Sequence, residues 1–106
     1  MNIQKIHQEA LEAAINAENE YLNKYGEQAY CGFAWVNVFV TRINSKEANL
    51  LKQVGFQRDY RPKCLNLWAP GNYRGQSMDI LEAGARAYAQ VLQKYGFRAY
   101  AGSRAD

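Results

Sequence analysis

Enzymatic chemistry needs a nucleophile, a proton carrier or a set of metal ligands, and this chain is short of all three. It has one histidine, His7, and two cysteines, Cys31 and Cys64. A catalytic triad or a His-Cys metal site requires such side chains to converge. Neither cysteine sits in a CxxC spacing, and no histidine lies near either one in sequence. The cysteines therefore read as buried or incidental, and no catalytic residue, metal or cofactor is expected.

Two other places carry chemical potential. Glu18 falls near the centre of the apolar stripe of the first helical segment. An unpaired buried carboxylate is costly, so Glu18 needs a salt bridge or a tyrosine hydrogen bond; the functional alternative is a carboxyl of raised pKa in a ligand pocket. Asn72-Tyr73-Arg74-Gly75-Gln76-Ser77 leads from a strand into a helix N-terminus, where free N–H groups beside Arg74, Gln76 and Ser77 could hold a phosphate or carboxylate. The spacing matches neither a Walker loop nor a dinucleotide fingerprint. Asp79, in the first turn, opposes a bound anion, so ordinary capping is the favoured reading there.

The strongest surface signal is aromatic. Residues 29–41 are rich in valine and rings, with the alternation of a strand. One face carries Gly32, Ala34, Val36, Val38 and Val40, and the other Cys31, Phe33, Trp35, Asn37 and Phe39. A second strand at 63–68 sets Leu65 and Leu67 against Cys64, Asn66 and Trp68. Valines and leucines make a smooth floor for helices, which leaves Phe33, Trp35, Phe39 and Trp68 on a far face that something must cover. A homo-oligomer or a partner protein is the simpler cover; nucleic acid is the alternative, with Arg58, Arg61, Lys63, Arg74 and Arg98 around the rings.

The elements that position these residues follow from periodicity. A helix is expected over 3–24, with Ile3, Ile6, Ala10, Ala14, Ala17 and Tyr21 inward, widened by Leu11, Ile15 and Leu22. Asn44 and Ser45 open a short helix that stops near Gly55, and 57–62 read as a basic loop. After the turn at Pro70-Gly71-Asn72, a helix over 77–95 begins at Ser77 and turns Ile80, Leu81, Gly84, Ala87, Tyr88, Val91 and Tyr95 inward. A last strand covers 98–101.

The first helix–strand stretch, 11–32, returns as 81–102, displaced by 70 positions. Both copies read KYGxxAYxG, from Lys24 and from Lys94, so Gly26 and Gly96 are expected to end their helices in left-handed conformations.

With 106 residues the chain fits one domain, and no apolar run approaches the length of a membrane span. No signal-peptide pattern is visible and cysteine is sparse, which favours a reduced, cytoplasmic setting. Charge is uneven. Up to Gln53 five Lys or Arg face six Glu, whereas from Val54 onward eight basic residues face four acidic ones. The basic half suits an acidic partner or nucleic acid.

Arg74-Gly75-Gln76-Ser77-Met78-Asp79, the helix Glu82-Ala83-Gly84-Ala85-Arg86-Ala87, the ending Gly102-Ser103-Arg104-Ala105-Asp106 and Cys31-Gly32-Phe33-Ala34-Trp35-Val36 carry a resemblance. In these segments the chain resembles a group of small phage- and prophage-encoded hypothetical proteins, less so over 43–69. The resemblance supplies no catalytic residues. It implies a phage context, the host cytoplasm as location, and the habit of small accessory proteins of binding and disabling a host component.

The fold expected is a single α/β domain in the order α-β-α-β-α-β, with helices on one face of a small sheet. Helical crossovers favour parallel pairing; a two-layer α+β arrangement with antiparallel pairing is the alternative. The function expected is non-enzymatic binding of a host or defence-system protein through the aromatic face, as a homo-oligomer. The alternatives are nucleic-acid or nucleotide binding at that face, and a small-molecule enzyme built on Glu18.

Overall fold

The computed structural model of the chain describes residues 2–27 and 30–106. Its elements are α1 (Ile3–Tyr25), β1 (Gly32–Phe39), α2 (Lys46–Gln53), β2 (Gln57–Arg58), β3 (Cys64–Trp68), α3 (Met78–Lys94) and β4 (Arg98–Ala105). Ala29, expected to begin the first strand, lies outside the described residues.

Local chemistry sets the helix ends. Asn2 caps α1 by accepting the Lys5 N–H, and the Ser45 hydroxyl accepts the Ala48 N–H at the start of α2. The helices α2 and α3 end alike. Phe56 and Phe97 donate their N–H groups to the Leu51 and Leu92 carbonyls, while Gly55 and Gly96 donate to Lys52 and Gln93. This double bond pattern needs a positive φ at the glycine, 110° and 93° respectively, and the phenylalanine that follows packs into the core. Gly26 also has a positive φ, 71°, but ends α1 with a single bond to the Leu22 carbonyl. The repeated Ala-Tyr-x-Gly pattern lies inside β4, whereas Tyr30 precedes β1.

The four strands form one sheet in the order β2-β3-β1-β4, antiparallel at every contact. Antiparallel pairing, the alternative of the two layouts, is therefore the one adopted, and the parallel pairing favoured on crossover grounds is not. Part of the segment expected to be a basic loop, Gln57–Arg58, is a strand that turns back onto β3. That hairpin sends β3 back against β1. The long helix α3 does join two strands of the same direction, β3 and β4, but β1 lies between them. The crossover rule held for chain direction and missed the strand inserted in the gap.

All three helices lie on the valine side of the sheet. Ala34, Val36, Val38 and Val40 are buried there with Leu65 and Ala99, beneath Ile3, Ile6, Ala10 and Ala14 of α1 and Leu81, Ala85, Tyr88 and Leu92 of α3. Two stripes are rotated from expectation. α1 continues from Ala14 to Glu18 rather than Ala17, and α3 buries Ala85, Ala89 and Leu92 while Tyr95 is exposed. The reason lies in the helix pair: α1 packs along α3, and α3 serves that helix and the strands β1 and β4 at once.

Candidate functional site

Period-two alternation carries the far-face residues to one open surface, and the register lines them up in rows. Trp35 lies between Trp68 and Gly102, Asn37 between Asn66 and Tyr100, and Phe39 between Cys64 and Arg98, while Phe33 faces Arg104. Phe33, Trp35, Phe39 and Trp68 thus share a single face, and among the described residues no helix lies over it.

The rings fall into two groups. The Trp35 and Trp68 ring centroids are 4.7 Å apart at 30°, with Phe33 edge-on to Trp68 at 6.2 Å. Gly102 makes room for this pair, since a Cβ there would fall 2.6 Å from Trp35 Nε1. At the other end Phe39 meets Tyr100 at 6.0 Å. Trp68 and Tyr100 are each about half exposed, at 50% and 53%, so their ring surfaces are open to an incoming planar group.

A polar strip separates the groups. The Arg61 guanidinium donates from Nη2 to Asn37 Oδ1 at 2.9 Å and from Nε to Asp59 Oδ2 at 2.7 Å. Asn66 Nδ2 donates to Asp59 Oδ1 at 2.8 Å, which leaves both oxygens of Asp59 engaged. Burial pushes the Asp59 carboxyl upward, but the hydrogen bonds and charge of Arg61 outweigh it and hold the group below its ordinary range. Burial also pushes the Cys64 thiol up, away from the thiolate a nucleophile would need. Between this strip, Tyr60, the two tryptophans and Arg104 lies a groove of ≈ 610 Å³.

The expected cations do not all converge. Arg61 is fixed within the strip, Arg98 lies in the Phe39 row, and Arg58 and Lys63 sit in the β2–β3 hairpin. Arg74 and Gln76 are exposed in the loop before α3. Ser77 is buried at the α3 N-cap, yet its hydroxyl caps nothing, and its N–H donates to Tyr73 Oη. Sequence reasoning missed Arg104, whose guanidinium lies 5.7 Å from the Phe33 ring centre. Carrying the alternation of Arg98, Tyr100 and Gly102 three residues past the expected strand end would have found it.

Glu18 is buried and serves architecture. Its Oε1 accepts the N–H groups of Asn72 at 3.0 Å and Tyr73 at 3.2 Å, rather than a cation or a tyrosine hydroxyl. Gly71 and Gly84 press against the carboxylate, and a Cβ at Gly84 would lie 2.6 Å from Oε2. Burial raises its pKa and the two N–H groups oppose the rise. His7 pairs through Nδ1 with the buried Tyr88 hydroxyl at 2.7 Å, and burial lowers its pKa. Among the described residues no group of three His, Cys, Asp or Glu could hold a metal, and no helix is long and apolar enough to cross a membrane. No family model, curated protein or solved structure matches the chain.

Proposed function

We propose that this is a non-enzymatic phage accessory protein that acts by binding single-stranded nucleic acid on its open sheet face. The sequence by itself favoured a host protein as the partner. The observation that moves the reading is that exposed rings alternate with arginines on one uncovered face, with Arg104 over Phe33, Arg98 opposite Phe39, and Tyr100 in the next row. Bases stack on rings whatever their sequence, and guanidinium groups beside them meet the phosphates. Asp59, the carboxylate in the middle of the face, is already neutralised by Arg61.

A protein interface of ordinary kind has a continuous apolar centre and a polar rim. Here the polar strip of Asn37, Asn66, Asp59 and Arg61 crosses the centre instead. A host protein remains the second reading because Phe33, Trp35 and Trp68 are contiguous, enough for one anchoring patch.

The test is titration of a homopolymeric single-stranded oligonucleotide into the protein while tryptophan emission is followed. Quenching at low salt, weakening steeply as salt rises and sharply reduced in Trp68→Ala, supports the proposal. No quenching at low salt, together with recovery of a host protein by wild type but not by Trp68→Ala, replaces it with the second reading.

A further inference from the structure

β4 is an edge strand of eight residues, without proline and in unbroken register with β1. Edges of this length are usually blunted, because their outward N–H and C=O groups pair readily with another strand. An antiparallel strand bonds alternate residues to each side. The Asp106 N–H donates to the Cys31 carbonyl at 3.0 Å, so even-numbered residues of this segment face β1, and Ala99, Ala101, Ser103 and Ala105 face outward. Gln93 agrees with that phase: its Nε2 donates to the Ala99 carbonyl at 2.6 Å. Among the described residues the outward backbone groups of Ala101, Ser103 and Ala105 meet no partner.

We infer that a second copy of this chain occupies this edge, β4 against β4, in an antiparallel two-fold register centred on Gly102. The charges select the register. Centring on Ala101 would set Arg98 opposite Arg104 of the second copy, twice over. Centring on Ser103 would set Asp106 opposite Tyr100 and Arg104 opposite Gly102, so that no charge meets an opposite charge. Centring on Gly102 sets Arg98 opposite Asp106 and Tyr100 opposite Arg104, so every charge on the strand meets an opposite charge or a ring face. It also pairs Ala101 with Ser103, outward group to outward group. Stacking the two open faces on each other would instead bring cationic surfaces together.

Gly102 lies beneath the Trp35 ring, so the seam would bring the Trp35–Trp68 pairs of the two copies side by side on one continuous sheet. The pairing does not depend on what that surface binds.

Sedimentation across a concentration series tests it. Wild type is expected to dimerise. Ala101→Pro removes an outward N–H without touching a β1–β4 bond, so it should give a folded monomer by circular dichroism and sedimentation. Arg98→Asp and Asp106→Arg should each weaken the dimer by about tenfold, and the double exchange should restore it. A wild type that is monomeric throughout overturns the inference, as does a dimer that survives Ala101→Pro and is lost in Trp68→Ala. Should Ala101→Pro fail to fold, the charge exchange decides, and no recovery in the double variant overturns the pairing.

Discussion

The Glu18 carboxylate accepts the backbone N–H of Asn72 at 3.0 Å, joining α1 to the turn that follows β3. The partners are two backbone amides, which lose their protein acceptor once Glu18 is removed. Glu18→Ala should therefore cost about 2 kcal/mol, the scale of leaving buried donors unsatisfied. Glu18→Gln keeps an acceptor and should cost less. Because burial raises the folded-state pKa above the unfolded one, the folded form holds more protons between the two values, and stability must fall as pH rises through that window. The stability of wild type relative to Glu18→Gln should thus decline from about pH 4.5 upward and then level off, as read from urea midpoints. A difference that grows with pH would contradict the burial argument.

Gly26 and Gly96 both take positive φ at helix ends, with open space where a Cβ would go. Backbone strain alone then sets the cost, and valine at either position should destabilise by more than about 1 kcal/mol. Gly96 should be the more sensitive, since its cap also seats Phe97 in the core. Equal urea midpoints for wild type and both variants would argue against it.

Trp68 is half exposed and covers Trp35 from one side only. Trp68→Ala should leave the fold nearly as stable as wild type while weakening oligonucleotide binding by about 1–3 kcal/mol, the range for one lost stacking ring. Thermal melts and the tryptophan titration together separate the two effects; a loss of binding that merely tracks a loss of folding would count against a docking role.

Asp59 holds Arg61 down on the sheet. Asp59→Asn should lower stability and at the same time tighten oligonucleotide binding at low salt, because it frees a guanidinium and removes the carboxylate from the centre of the face. The folded-state pKa of Asp59 is depressed, so its contribution is present above the unfolded value and is lost as pH falls below about 3.8 toward the folded one. Binding isotherms that weaken in Asp59→Asn would show that the strip, and not the free cation, is what the ligand needs.

The sequence by itself determined which side of each strand is which. Val36 and Val38 against Trp35 and Phe39, and Leu65 against Asn66 and Trp68, are assignments that alternation makes locally, since neighbouring side chains must point to opposite faces. The glycine stops are local too, because φ at Gly96 depends on its own missing Cβ. Strand direction was not local. Whether β3 runs with or against β1 depended on a two-residue strand, Gln57–Arg58, too short to show any period. The partner of Glu18 was equally out of reach, as backbone amides have no sequence signature and these lie 54 and 55 positions away. Only the tertiary fold decided that the asparagine pair, Asp59 and Arg61 form a strip between two aromatic groups, because their contacts cross from a hairpin loop onto β1. The residues of the face were legible in the chain; its division into rings, cations and a polar centre came from the register that folding imposed.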